Sequence, residues 1–244
     1  MNIIAIGGGQ KENAISEALS VADNQNVLLI PSACSTETSY NKKVGLLIEF
    51  FERFGIPGVQ ILHGFKETPS RTQIEDMLNT SGLAYVIGGN TPHMLDTIKS
   101  HGSDTEIAKA TRNGMVLAGT SAGAILPFNK GQVNPATKPE SQEWEFEYLE
   151  GLGLVDATVG VHANKKDLII GGTRKKSRGE YLEETVGAFS DRALAIDEGA
   201  AVSVTDSGLS VISSVPEARV RILQKGKKPI ILGDADTFDE IIAS

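Results

Sequence analysis

The chain has 244 residues, 23 Lys+Arg against 31 Asp+Glu, a net charge of −8 and one cysteine, Cys34. That balance argues against a nucleic-acid binder that works by phosphate neutralisation, and a lone cysteine excludes an internal disulfide framework and a Cys-based zinc cluster. The charged fraction of 22% is ordinary for a globular domain, so wholesale disorder is not expected.

Short apolar runs alternate with longer amphipathic ones from the start. Residues 3–6, 27–30, 59–62, 84–87 and 115–118 read as strands. Their apolar runs are continuous rather than alternating, as in parallel strands covered on both faces. Residues 12–22, 40–54, 71–79, 91–100 and 104–113 read as helices between them, with Gly55 just past the second. This β-α order predicts a doubly wound, mostly parallel α/β sheet flanked by helices. The polar segment 129–147, with Gly131, Pro135 and Pro139, reads as a long loop. Beyond residue 190 the texture turns β-rich, with short strands at 193–197, 200–205, 209–213, 220–223 and 230–232. No low-complexity linker or repeat interrupts the chain, so one domain over 1–244 is expected.

The N-terminal MNIIAIGGGQ lacks a basic flank and its apolar run stops at glycines, unlike a secretory signal. No apolar stretch approaches the roughly 18 residues of a membrane span. The expectation is a cytoplasmic protein, monomer or homodimer, with no membrane or nucleic-acid partner.

Gly7-Gly8-Gly9 ends the first strand but does not match the dinucleotide fingerprint: three positions after Gly9 stands Glu12, and the next glycine is Gly45. What remains is a turn of unusual φ, structural or facing the substrate. The stronger motif is Gly119-Thr120-Ser121-Ala122-Gly123, running from an apolar strand into an apolar segment. This is G-x-S-x-G in the strand–turn–helix setting of a nucleophile elbow, with Ser121 exposed at the turn and the Ala122 N–H free to face an oxyanion. The alternative is a helix-capping serine. A second strand-to-helix loop, Gly88-Gly89-Asn90-Thr91, offers further oxyanion N–H groups at Gly88 or Gly89. Asn90 and Thr91 are then either substrate contacts or helix caps. Of the four histidines, His162 follows the serine in the chain, as the base does in α/β hydrolases, and is favoured over His63. Cys34 closes the second strand rather than the elbow, which argues against a cysteine hydrolase.

With Gly88-Gly89-Asn90-Thr91, Gly119-Thr120-Ser121-Ala122-Gly123-Ala124 and His162 in this order, the chain resembles the peptidase E (aspartyl dipeptidase)/cyanophycinase family of serine peptidases. The turn Pro31-Ser32-Ala33, the stretch Gly151-Leu152-Gly153-Leu154 and the segment Ala195-Ile196-Asp197-Glu198-Gly199-Ala200-Ala201 extend the resemblance over most of the chain. It implies the class I glutamine amidotransferase-like fold, Ser121 as nucleophile, His162 as base, and Gly88, Gly89 and Ala122 as the oxyanion hole. The family's aspartate followed by Met-Pro is missing between serine and histidine. Ungapped counting points to Glu140 as the third member, with Glu143 next. The family's Gly-x-Thr-Arg context is similar to Gly171-Gly172-Thr173-Arg174, which implies Arg174 as a partner for a substrate carboxylate. Arg174 also belongs to a plain basic cluster that continues to Arg178. The expected activity is hydrolysis of short peptides, those with N-terminal Asp included, with no metal or organic cofactor. The alternatives are a cyanophycinase-like β-aspartyl peptide hydrolase and a non-catalytic ligand-binding member of the fold.

Overall fold

β1 (Asn2–Ile6) buries side chains on both faces, Ile3 and Ala5 in one core and Ile4 and Ile6 in another. A strand with no polar face has to lie in the middle of a sheet. The computed structural model describes residues 1–56, 58–65, 69–135, 145–166, 168–170 and 174–238. After β1 come α1 (Glu12–Ser20), β2 (Val27–Ile30), α2 (Glu37–Arg53), β3 (Val59–Ile61), α3 (Arg71–Thr80) and β4 (Leu83–Val86). α4 (Thr91–Ser100), α5 (Ser103–Arg112), β5 (Val116–Thr120) and α6 (Ala122–Ile125) follow. The second half gives β6 (Phe128–Val133), β7 (Glu147–Glu150), β8 (Val155–Val161), β9 (Leu168–Ile170), β10 (Arg174–Lys176), α7 (Arg178–Phe189) and β11 (Arg192–Ile196). It closes with β12 (Ala200–Thr205), β13 (Gly208–Ser213), β14 (Val220–Gln224), β15 (Ile230–Leu232) and β16 (Thr237–Phe238).

The expected α/β sheet is present, in the order β16-β13-β12-β1-β5-β4-β2-β3. Strands β1 to β5 run parallel in it, and β12, β13 and β16 add an antiparallel flank. The C-terminal strands do not simply extend this sheet. β14, β15 and β11 join β8, β6 and β7 in a second, six-stranded sheet, whose parallel centre is β11-β8-β6. The segment read as a long loop therefore begins as strand β6; residues 136–144 lie outside the described ones.

α1 and α2 cover one face of the first sheet through Ile15, Ala18, Val44, Leu47 and Phe51. On its other face, Ile74, Met94 and Ile107 of α3, α4 and α5 share one core with Val159, Leu194 and Ile222 of the second sheet. Burying each such side chain contributes about 1.5–3 kcal/mol. α7 packs on the second sheet through Leu182 and Val186. α2 begins at Glu37 rather than residue 40, because Thr36 Oγ1 accepts the Ser39 N–H at 3.2 Å and caps the helix. Among the described residues no helix is long and apolar enough to cross a membrane.

Candidate active site

β5 ends at Thr120 and α6 starts at Ala122, so Ser121 alone makes the turn. Its backbone sits at φ 55°, ψ −114°, a conformation that a non-glycine residue keeps only where its surroundings impose it. Two glycines let those surroundings close in. A Cβ on Gly119 would collide with the Gly123 carbonyl, and a Cβ on Gly123 with that of Val86 in β4. The Ser121 N–H is meanwhile tied to Ile6 O at 3.0 Å.

His162 follows β8 and also has positive φ, 56°. Its Nε2 lies 2.7 Å from Ser121 Oγ, and its Nδ1 lies 2.7 Å from Oε1 of Glu198. A carboxylate on Nδ1 holds the proton there and leaves the Nε2 lone pair facing the serine hydroxyl. Burial lowers the pKa of His162 below its ordinary 6.5; the hydrogen bond to Glu198 pulls it back up, and the charge of Arg178 presses it down. The ring is therefore neutral at pH 7 and able to accept a proton.

Glu198 arrives by strand adjacency. β8 and β11 are parallel neighbours, with Val161 opposite Ile196, so the residues just past their carboxyl ends meet. Asp197 turns the other way: it is buried, and its carboxylate accepts from the Arg219 N–H at 3.0 Å and from Arg221 at 3.4 Å. Asn164 Oδ1 accepts the Glu198 N–H at 3.0 Å and fixes the backbone behind the carboxylate.

The triglycine turn backs this pair. Gly7 O accepts the His162 N–H at 3.0 Å, and Gly8 O accepts the Gly199 N–H at 2.8 Å. Gly8 lies flat under the imidazole at φ 125°, where a Cβ would stand 2.6 Å from Nδ1. The turn is thus structural, a close backbone approach that only glycine permits.

Ala122 and the loop of Gly88 and Gly89 flank Ser121. A Cβ on Gly88 would lie 3.0 Å from that of Ser121. Among the described residues no acceptor takes the N–H of Gly88, Gly89 or Ala122. Lys43 Nζ donates to Gly88 O at 2.7 Å. In a trans peptide the next N–H points the opposite way, so that of Gly89 is turned from Lys43. A cavity of about 510 Å³ opens here, bordered by Ser121, Thr120, Gly88 and Gly89.

Ser121, His162, Gly88, Gly89 and Ala122 therefore come together. Asn90 and Thr91 stand at the start of α4, where Asn90 Oδ1 caps the helix by accepting the His93 N–H at 3.0 Å and Thr91 is buried. The predicted third member, Glu140, lies outside the described residues, as does Glu143, and the carboxylate at Nδ1 belongs to Glu198. Arg174 opens β10, and residues 171–173 before it are outside the described ones. His63 is remote from this arrangement, its Nε2 bonded to Ser103 at 2.8 Å and its ring against His101. Among the described residues no cluster of three His, Cys, Asp or Glu could hold a metal ion.

The model of peptidase family S51 matches residues 3–212, from β1 into β13. The chain is 26% identical over 217 residues to the uncharacterized peptidase YgaJ of Bacillus subtilis (strain 168), 87% of either chain. In structure it is similar to a peptidase from an acI-B1 Actinobacterium, at TM-score 0.71 and 20% identity over 98% of this chain and 96% of that one. A putative peptidase E protein from Listeria monocytogenes EGD-e follows at TM-score 0.56 and 19% identity, over 87% and 98%. The two structural likenesses bear on the fold.

Proposed function

The chain belongs to peptidase family S51 and is a peptidase, and from that premise we propose that it hydrolyses short peptides by a serine mechanism. The observation that carries the proposal is the series Ser121 Oγ, His162 and Glu198, each link 2.7 Å long. In this mechanism Oγ attacks the scissile carbonyl carbon while Nε2 of His162 takes the hydroxyl proton. Glu198 stabilises the imidazolium across Nδ1. The N–H groups of Ala122 and Gly89, with Gly88 beside them, stabilise the tetrahedral oxyanion. The C–N bond then breaks as His162 returns the proton to the leaving amine. Water, deprotonated by the same ring, cleaves the Oγ–acyl ester and restores the hydroxyl. A cavity of about 510 Å³ suits a residue or two of a short peptide.

Ser121→Ala is expected to abolish both peptide hydrolysis and labelling by a fluorophosphonate, with the unfolding midpoint within the range of a surface substitution. Hydrolysis retained by the alanine variant overturns the serine mechanism. A panel of Asp-X, β-Asp-X and neutral dipeptides tests the Asp-X preference that the family resemblance implies against the β-aspartyl alternative. Absence of labelling, with no dipeptide turned over, favours a non-catalytic binding member.

A further inference from the structure

The cavity beside Ser121 borders the hydroxyl and the loop of Gly88 and Gly89, but neither His162 nor Glu198. In a serine mechanism the leaving amine must lie against the histidine that protonates it. A pocket on the oxyanion side and away from the imidazole therefore receives the acyl half of the substrate.

Two properties of its lining describe that acyl group. Part of the lining is apolar: Leu46, Leu47 and Phe50 of α2 border the cavity together with Ile87, and Leu46 is left 56% exposed. An exposed leucine lining a ligand-sized cavity is a surface for an apolar partner. The remaining side chains include three cations, Lys11, Lys43 and Arg53, and no carboxylate. None of the three forms an ion pair among the described residues. Burial lowers the pKa of the Lys11 ammonium, the charge of Glu12 pulls it back up, and that of Lys43 lowers it further. In a chain of net charge −8, three cations that line one cavity, with no carboxylate in the lining, attract a ligand anion and repel a ligand ammonium.

We propose that this cavity is the acyl-side subsite, and that it selects an acyl group with a large apolar body and a carboxylate in place of a free α-ammonium. Leu46 and Phe50 take the body, and Lys11 with Lys43 takes the carboxylate. The inference rests on the serine-peptidase reading and adds the substrate class.

Four p-nitroanilides test it: N-succinyl-Phe, N-acetyl-Phe, Phe with a free amine, and Asp with a free amine. Wild-type kcat/KM is expected to be at least tenfold higher for succinyl-Phe than for acetyl-Phe, and lower again for both free amines. Lys11→Glu, at a position that makes no side-chain cap bond to α1, is expected to bring the succinyl-Phe to acetyl-Phe ratio of kcat/KM to within about twofold of unity, through KM. Leu46→Asp is expected to weaken both Phe-containing blocked substrates by tenfold or more. Equal wild-type rates on succinyl-Phe and acetyl-Phe, or a Lys11→Glu enzyme that keeps the preference, overturns the subsite. Fluorophosphonate labelling of Ser121 separates the two levels. A labelled enzyme that prefers Asp or leaves succinyl-Phe intact overturns the subsite alone, whereas no labelling and no turnover overturns the serine mechanism with it.

Discussion

Gly8→Ala places one methyl group against the imidazole of His162. The Cβ would stand 2.4 Å from Cε1 of the ring, whereas carbon atoms in contact prefer about 3.5–4.0 Å. The ring must therefore give by about 1 Å, or the β1 turn must. The turn has little freedom, because Gly7 O and Gly8 O are already bonded to the N–H groups of His162 and Gly199. An imidazole moved by that amount leaves the 2.7 Å contacts to Ser121 and Glu198, and a displacement near 1 Å costs roughly 100-fold in rate. The backbone adds about 1–3 kcal/mol of strain, since φ 125° is foreign to alanine. Gly9→Ala separates the two effects. It carries a similar positive-φ cost at 69°, but its Cβ meets only Gly199 and Glu198 Cβ, at 3.4 and 3.5 Å. Initial rates and urea midpoints measured on both variants should show both destabilised, and kcat reduced by about 100-fold in Gly8→Ala alone. A Gly8→Ala enzyme that keeps more than a third of the wild-type kcat refutes the placement of His162 as the base.

Glu198→Gln removes the chief influence that raises the pKa of His162 and leaves burial and Arg178 to lower it. The acid limb of kcat/KM, below 6.5 in the wild type, should move further to acid while kcat falls roughly 10²–10⁴-fold; an unshifted limb with kcat intact dismisses Glu198 as the orienting carboxylate. His63 is buried beside His101, and desolvation first, then the His101 charge, lowers its pKa from 6.5 to about 4. The unfolded chain thus binds the extra proton between those values, so stability is fully present above pH 6.5 and falls by about 3 kcal/mol as pH drops through 4. His63→Asn, which tolerates the φ of 57°, should flatten that part of the urea-unfolding profile; a wild-type-minus-variant difference that is constant from pH 4 to 7.5 would contradict it.

The parts of the molecule that were legible in the sequence are those where one strand or one turn decides the outcome. β1, β2, β4 and β5 bury both faces, so each announces itself as an unbroken apolar run. Ser121 was legible because its turn needs a glycine on either side, and both reasons are local collisions. β6 was not legible: Asn129, Lys130 and Gln132 make it look like a loop, and only pairing with β7 and β8 makes it a strand. Gln132 is buried there despite its polarity. The basic cluster ending at Arg178 reads as either a solvated loop or a helix start, and the capping box of Ser177 and Glu180 makes it the start of α7. Glu198 lies 36 residues from His162, a separation that no periodicity reports. The available signal was an acidic pair, Asp197 and Glu198, directly after an apolar strand, and it becomes meaningful only once β11 is known to lie parallel beside β8.

That adjacency explains how the triglycine turn bears on the geometry of the site. Ser121 rides on the first sheet, at the end of β5, and His162 and Glu198 ride on the second, at the ends of β8 and β11. The hydroxyl and the imidazole meet only if the two sheets are held in register. The turn after β1 is one such joint: Gly7 N–H and O reach Ala200 and His162, and Gly8 O reaches Gly199. The bond from His162 to Gly7 O joins the two sheets, while those to Ala200 and Gly199 hold the turn against the start of β12 in its own sheet. Glycine's conformational freedom is an entropic cost in the unfolded chain. At this turn that cost sets the alignment on which the 2.7 Å contact between Ser121 and His162 depends.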